Sequence, residues 1–400
     1  MTLLSRRSLV ANAILAATML CVTFSVGVGR AYAQAGFYVA EDQELAGQPG
    51  TLIRAEAMQG APDGAAAYRI LYRSRGLHEE PIAVSGVVVI PSAPPPAGGR
   101  PIGAWAHPTT GVVSRCAPSR ALFIFQQIQG LREMIERGYV VAATDYPGLG
   151  TPGPHPYLVG ISEGRAVLDA VRAAHDMPGV GGGRRFAVWG HSQGGQASLY
   201  TGILAKSYAP ELDLTGVAAA APATKLAALM ADDLNSNGGR NLTAMTLWSW
   251  NRVFDAPMER VVEPAAIPIV NRLAEECIES IYDLVLRQRT ARPLEQSFLS
   301  VQDPLDLEPW RSLAASNTPG VLPSEIPIFL SQGADDNLVR PAVTKDYMNE
   351  LCRAGSRVRM FLLPGVNHGF IARDSAGFAV EWMTDRFTSA PAPNDCMRSK

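Results

Sequence analysis

The sequence predicts an α/β protein: a mostly parallel central sheet, helices on both faces and a helical insertion. Strand-like and helix-like segments alternate over residues 102–220 and again over 326–387. At one strand-to-helix junction lies Gly190-His191-Ser192-Gln193-Gly194. Between the alternating stretches, residues 224–323 carry helix-forming and aromatic residues without clear strands.

Residues 1–33 are not expected to belong to the fold. Ser5-Arg6-Arg7-Ser8 is a twin-arginine pattern, an almost uncharged run follows, and Ala31-Tyr32-Ala33 has the small-x-small form of a cleavage site. These residues read as an export leader cut after Ala33, which places the mature chain in the periplasm or outside the cell. Residues 34–223 read as the first part of the core, 224–323 as a cap, and 324–400 as the second part of the core with a proline-rich tail. Three β segments (51–58, 67–74, 82–90) open the core in an antiparallel-looking group. A strand at 102–106, a helix at 119–137 and a strand at 139–145 come next. A helix at 162–176, with Ser162 as its N-cap, leads to the strand before Gly190. A helix follows the Gly190 turn, and a buried strand spans 214–220. After the cap come a strand (326–330), a helix (342–354), a strand (357–363) and a last helix (376–387).

With 35 basic and 37 acidic residues and no basic block, the chain is not expected to bind nucleic acid. Outside the leader the cysteines are Cys116, Cys277, Cys352 and Cys396. An even number in an exported chain suggests two disulfides, with three pairings open. No spacing of His, Cys and acid suggests a metal, and the glycines at 179–183 end a helix where a phosphate loop would begin one. No cofactor is expected.

Glycines flanking Ser192 allow a turn so sharp that the hydroxyl stands at its tip, the arrangement of a nucleophile elbow. A serine hydroxyl attacks at neutral pH only with a base beside it, itself oriented by an acid. On such a sheet both partners follow in chain order on loops after strands. His368, in Gly365-Val366-Asn367-His368-Gly369, meets that requirement; the other histidines precede the serine or adjoin it. The acid is Asp336 or its neighbour Asp335, and the spacing Gly333-x-x-Asp336-x-x-Val339 favours Asp336. A tetrahedral intermediate also needs two N–H donors for its oxyanion. Losing one typically costs about a hundred- to a thousandfold in rate. Gln193 supplies the first. The second comes from Thr109 or Thr110 in His107-Pro108-Thr109-Thr110-Gly111, because Pro108 has no N–H.

Together, the elbow, acid loop, histidine loop and inserted cap resemble the α/β-hydrolases. Cys116-Ala117-Pro118-Ser119 and the cysteine placement resemble the secretory lipase family, of the yeast lipase A type, over residues 37–391. That resemblance implies Ser192, Asp336 and His368 as a triad hydrolysing carboxylic esters, often acylglycerols. It also implies Cys116–Cys277 and Cys352–Cys396 pairing. The partners it implies are a small-molecule or lipid ester and transient contact with a lipid interface, the protein acting as a monomer. The His-Pro-Thr-Thr-Gly loop departs from the yeast pattern, which places an acidic residue there. A feruloyl or polymer esterase, an acyltransferase and a non-catalytic binding protein are the alternatives on the same scaffold.

Overall fold

Short runs of Val, Ala, Ile and Phe buried on both sides are what a parallel sheet needs, and they form its centre. The computed structural model describes residues 36–396; the leader expected at 1–33 and the last residues of the tail lie outside them. The sheet contains β1 (Leu52–Ala57), β2 (Ala65–Arg75), β3 (Pro81–Pro91), β4 (Arg100–Ala106), β5 (Val140–Thr144), β6 (Gly182–His191), β7 (Asp213–Ala220), β8 (Ile328–Gly333) and β9 (Val358–Leu363). Its spatial order is β1-β2-β3-β5-β4-β6-β7-β8-β9. The first three strands are antiparallel, β3 joins β5 antiparallel, and every pairing from β5 through β4 to β9 is parallel. The mostly parallel sheet expected from the sequence is therefore present.

Side chains alternate across this sheet. Val188, Val217, Ala219 and Leu330 point to one face, where helices α1 (Gly160–Asp176) and α2 (Gln193–Tyr208) cover them with Val167, Val171 and Leu199. Trp189, Ala218, Ala220 and Phe329 point to the other. Between β7 and β8 the chain runs through α3 (Leu226–Asp233), α4 (Asn237–Phe254), α5 (Ile267–Ala274), α6 (Ile281–Ala291) and α7 (Trp310–Ser316). Helix α8 (Pro341–Arg353) joins β8 to β9, and α9 (Ile371–Phe387) packs Trp382 and Met383 on the second face. Met245, Trp250 and Trp310 from the inserted helices are fully buried in that same second core. The insertion thus shares one apolar interior with the sheet.

Two expectations need correction. The helix expected over 119–137 is broken into turns around Pro118–Arg120 and short helices Ile124–Gln127 and Leu131–Glu136. Gly130 interrupts it with φ of 79°, and a Cβ there would lie 2.9 Å from Val380 Cγ2. Ser162 is not an N-cap: α1 starts two residues earlier with Val159 in that position, and Ser162 is buried in its first turn.

Candidate active site

Sheet register lines up the strand ends that carry the candidate residues. Ala106 of β4 pairs with Gly190 of β6, and His191 pairs with Ala220 of β7. The loops leaving β4, β6, β8 and β9 therefore open at one edge, the carboxyl end of the parallel strands. Ser192 alone separates β6 from α2, with φ 58° and ψ −116°, a strained conformation for any residue but glycine. Its neighbours have no freedom to be larger. A Cβ on Gly190 would fall 2.2 Å from the Gly194 carbonyl oxygen, and one on Gly194 only 1.9 Å from that of Ala106.

The loops after β8 and β9 bring Asp336 and His368 to this turn. His368 Nδ1 lies 2.8 Å from Asp336 Oδ2, and its Nε2 lies 2.9 Å from Ser192 Oγ. The ring can thus donate from Nδ1 to the carboxylate while Nε2 accepts the serine proton. Asp336 is buried; the rival Asp335 is exposed and points its backbone N–H at Val366. Burial by itself would raise the Asp336 pKa. The bond and charge of His368, with backbone N–H donors from Leu338 and Val339 at 2.9 and 2.8 Å, outweigh it and hold the carboxyl below its ordinary value. His191 packs its ring 4.9 Å from that of His368, and desolvation brings its pKa down to about 3, so it stays neutral beside the site.

Gln193 heads α2, where the first N–H groups have no partner within the helix. Thr109 and Thr110 follow β4 and line the same cavity as Ser192 and His368. Thr109 shares a 2.9 Å hydroxyl bond with Tyr157, while the Thr110 carbonyl accepts the Ile278 N–H at 2.7 Å. That cavity encloses about 580 Å³ and reaches Leu284 and Arg287 on α6. A second cavity of about 40 Å³ meets Ser192 and Gln193 from the other side, with Met230 and Trp250 in its wall.

The four cysteines form Cys116–Cys277 and Cys352–Cys396 bonds. The first joins the segment after the Thr109–Thr110 loop to the α5–α6 connection. A Cβ on Gly111 would lie 2.6 Å from Cys116 Sγ, so glycine is needed beside it. The second holds the tail against α8, and the neighbouring Asp395 accepts the Met360 N–H of β9 at 3.0 Å.

Two buried groups supporting these loops escape a reading of the sequence alone. Gln332 donates to Asp336 Oδ2 at 3.0 Å and to the Val339 carbonyl at 2.9 Å, fixing the acid loop. Behind the serine, the Gln193 side chain donates to His155 Nε2 at 2.8 Å and to Glu163 Oε1 at 2.7 Å. Glu163 left a signal: it stands in the first turn of α1, one turn from Val167 on the helix's buried side.

Comparison with known proteins adds the family context. Residues 119–395 match the family described as secretory lipase. A protein of Mycobacterium tuberculosis named as a probable inactive lipase is 23% identical over 368 residues, covering 88% of this chain and 81% of its own. A secreted triacylglycerol lipase of Malassezia globosa is 24% identical, with 87% and 78% covered. Among solved structures, Candida antarctica lipase A in its closed state superposes with a TM-score of 0.75 at 17% identity, over 90% of this chain and 88% of that one. A rice cell wall degrading esterase from Xanthomonas oryzae gives 0.68 at 19% identity, over 86% and 99%. At these identities the likeness is one of fold, and the fold is that of the α/β-hydrolases.

Proposed function

The chain belongs to the secretory lipase family, and from that premise we propose that it is an exported serine hydrolase of carboxylic esters. One observation carries this reading: His368 spans Asp336 and Ser192 with hydrogen-bond distances on both sides. Ser192 Oγ attacks the ester carbonyl while His368 Nε2 takes its proton, and Asp336 stabilises the imidazolium so formed. The oxyanion is held by the Gln193 N–H and by an N–H of Thr109 or Thr110. His368 then passes its proton to the departing alcohol oxygen. A water molecule, deprotonated by the same histidine, attacks the acyl-enzyme, and collapse of that second intermediate returns the proton to Ser192.

In this reading residues 224–323 form a cap over the site, and the Cys116–Cys277 bond ties it to the oxyanion loop. Exposed Leu122, Phe123, Tyr282 and Leu284 offer apolar surface near the larger cavity for contact with a lipid ester. Export through a twin-arginine leader ending at Ala33 agrees with the secreted relatives and with two disulfides.

The relative named as a probable inactive lipase favours one other reading, a binding protein on the hydrolase scaffold. The test is hydrolysis of p-nitrophenyl esters from acetate to palmitate by the mature protein, beside Ser192→Ala. Activity lost in the variant supports the serine hydrolase, and the chain-length profile separates esterase from lipase. A folded protein inert toward every ester and toward a serine-directed phosphonate would support the binding reading.

A further inference from the structure

The cavity of about 40 Å³ beside Ser192 has mostly apolar walls, including Leu226, Leu229, Met230 and Trp250, yet it also contains Asp233. This aspartate ends α3 and is 8% exposed. Its neighbour Asp232 is paired with Arg340, whereas the Asp233 carboxyl has no hydrogen-bond or ionic partner among the described residues. The backbone that carries it is also held in place. A Cβ on Gly239 would lie 2.3 Å from Asp233 Cα, so the start of α4 is packed hard against that backbone. Burial, reinforced by the charge of Asp232, raises the carboxyl to about 8, which leaves it protonated and able to donate at neutral pH. A carboxyl that no protein group pairs, set in an otherwise mostly apolar wall that also meets Ser192, calls for a hydrogen-bonding ligand.

We propose that Asp233 is the polar end of a small subsite at Ser192 that takes a short ester arm carrying a hydroxyl group. The inference rests on the serine-hydrolase reading above and names the substrate class of that site. Room for one water needs roughly 10–15 Å³ of such volume, so the cavity admits an arm of about three heavy atoms beyond the reacting carbonyl. A 3-hydroxypropionyl group has this size, two carbons and a hydroxyl oxygen, and would place its hydroxyl within the cavity. A hydroxylated alcohol arm has the same chemistry, and substrate pairs distinguish the two.

The experiment compares kcat/KM for p-nitrophenyl 3-hydroxypropionate against butyrate, and for 2-hydroxyethyl butyrate against propyl butyrate. It uses the wild type, Asp233→Asn and Asp233→Leu, each checked for folding by circular dichroism. The wild type should prefer the hydroxylated member of one pair by about tenfold, as one hydrogen bond allows. Asp233→Leu should abolish that preference. Asp233→Asn, similar in shape and still a donor, should reduce it about threefold, and it carries the test if the leucine variant does not fold. Absence of preference in both pairs, or a preference untouched by the substitutions, overturns the proposal. Failure of the wild type on every ester would instead sink the hydrolase reading. The subsite is then judged by calorimetry of 3-hydroxypropionamide against butyramide on Ser192→Ala, where equal binding overturns it and binding of the hydroxylated amide alone supports it.

Discussion

Gln193 Nε2 donates to Glu163 Oε1 at 2.7 Å, so the residue after Ser192 is held from behind by a buried carboxyl. Burial raises Glu163 to about 8, against the lowering effect of its bonds to Gln193 and Leu158. An ordinary glutamate in the unfolded chain ionises near 4.3. The stability this group contributes is complete below that lower value. Between the two, the folded chain keeps a proton that the unfolded chain has lost, so the contribution declines with rising pH and is gone above about 8. Asp233, Asp145 and Asp169 are raised too, to about 8, 6 and 6, and act in the same direction. The Tm of the wild type should therefore fall more between about pH 5 and pH 8 than that of Glu163→Gln. Equal slopes would show that Glu163 ionises normally. Glu163→Leu should leave the Gln193 amide held by His155 alone and lower kcat by about tenfold with little change in KM.

The turn at Ser192 trades stability for position. A non-glycine residue at φ 58° and ψ −116° costs on the order of 1–3 kcal/mol. Ser192→Gly should relieve it, giving a protein without esterase activity but more stable than Ser192→Ala by about 1 kcal/mol in urea unfolding. Gly194→Ala should do the reverse. Its added methyl meets the Ala106 carbonyl at 1.9 Å, and soluble yield and Tm should both drop sharply.

How much of this was legible beforehand depends on how local the cause is. The Ser192 turn is dictated by glycines two residues to either side, and His368 by the strand before it, so both positions could be read from short stretches. The choice between Asp335 and Asp336 rested on spacing. The structure separates them by burial and by the Leu338 and Val339 N–H groups. Glu163, His155 and Gln332 act through contacts across 30, 38 or as few as four residues; patterning marks Glu163 as buried on its helix but names the partner of none of them. The helix expected over 119–137 differs for a similar reason: the approach of Val380, from a distant part of the chain, to Gly130 is not written in the local sequence.

Asp336 and Asp335 give a paired control within one loop. Asp336→Asn keeps an oxygen for the loop N–H groups but loses the carboxylate facing His368 Nδ1. An analogous change in a serine protease lowers kcat about 10⁴-fold, and a loss of roughly 10³- to 10⁴-fold is expected here. Asp335→Asn should stay within about twofold of the wild type, because its side chain is exposed. Steady-state kinetics on a single p-nitrophenyl ester decides the matter; equal losses would mean that the loop, not the carboxylate, is what matters.

The two disulfides should separate stability from activity. Both Cys116→Ser/Cys277→Ser and Cys352→Ser/Cys396→Ser should lose about 2–5 kcal/mol, since each bond restrains the unfolded chain. Only the first bond reaches the site. Gly111 packs against Cys116, and the Ile278 N–H, one residue beyond Cys277, binds the Thr110 carbonyl at 2.7 Å. Releasing that connection loosens the loop proposed to place the second oxyanion donor, so kcat should fall about tenfold or more in the first variant. The second variant, measured well below its own Tm, should retain wild-type kcat, because Cys396 and Cys352 hold the tail to α8 away from Ser192. Equal kcat losses in both variants would show that the first bond acts only through global stability.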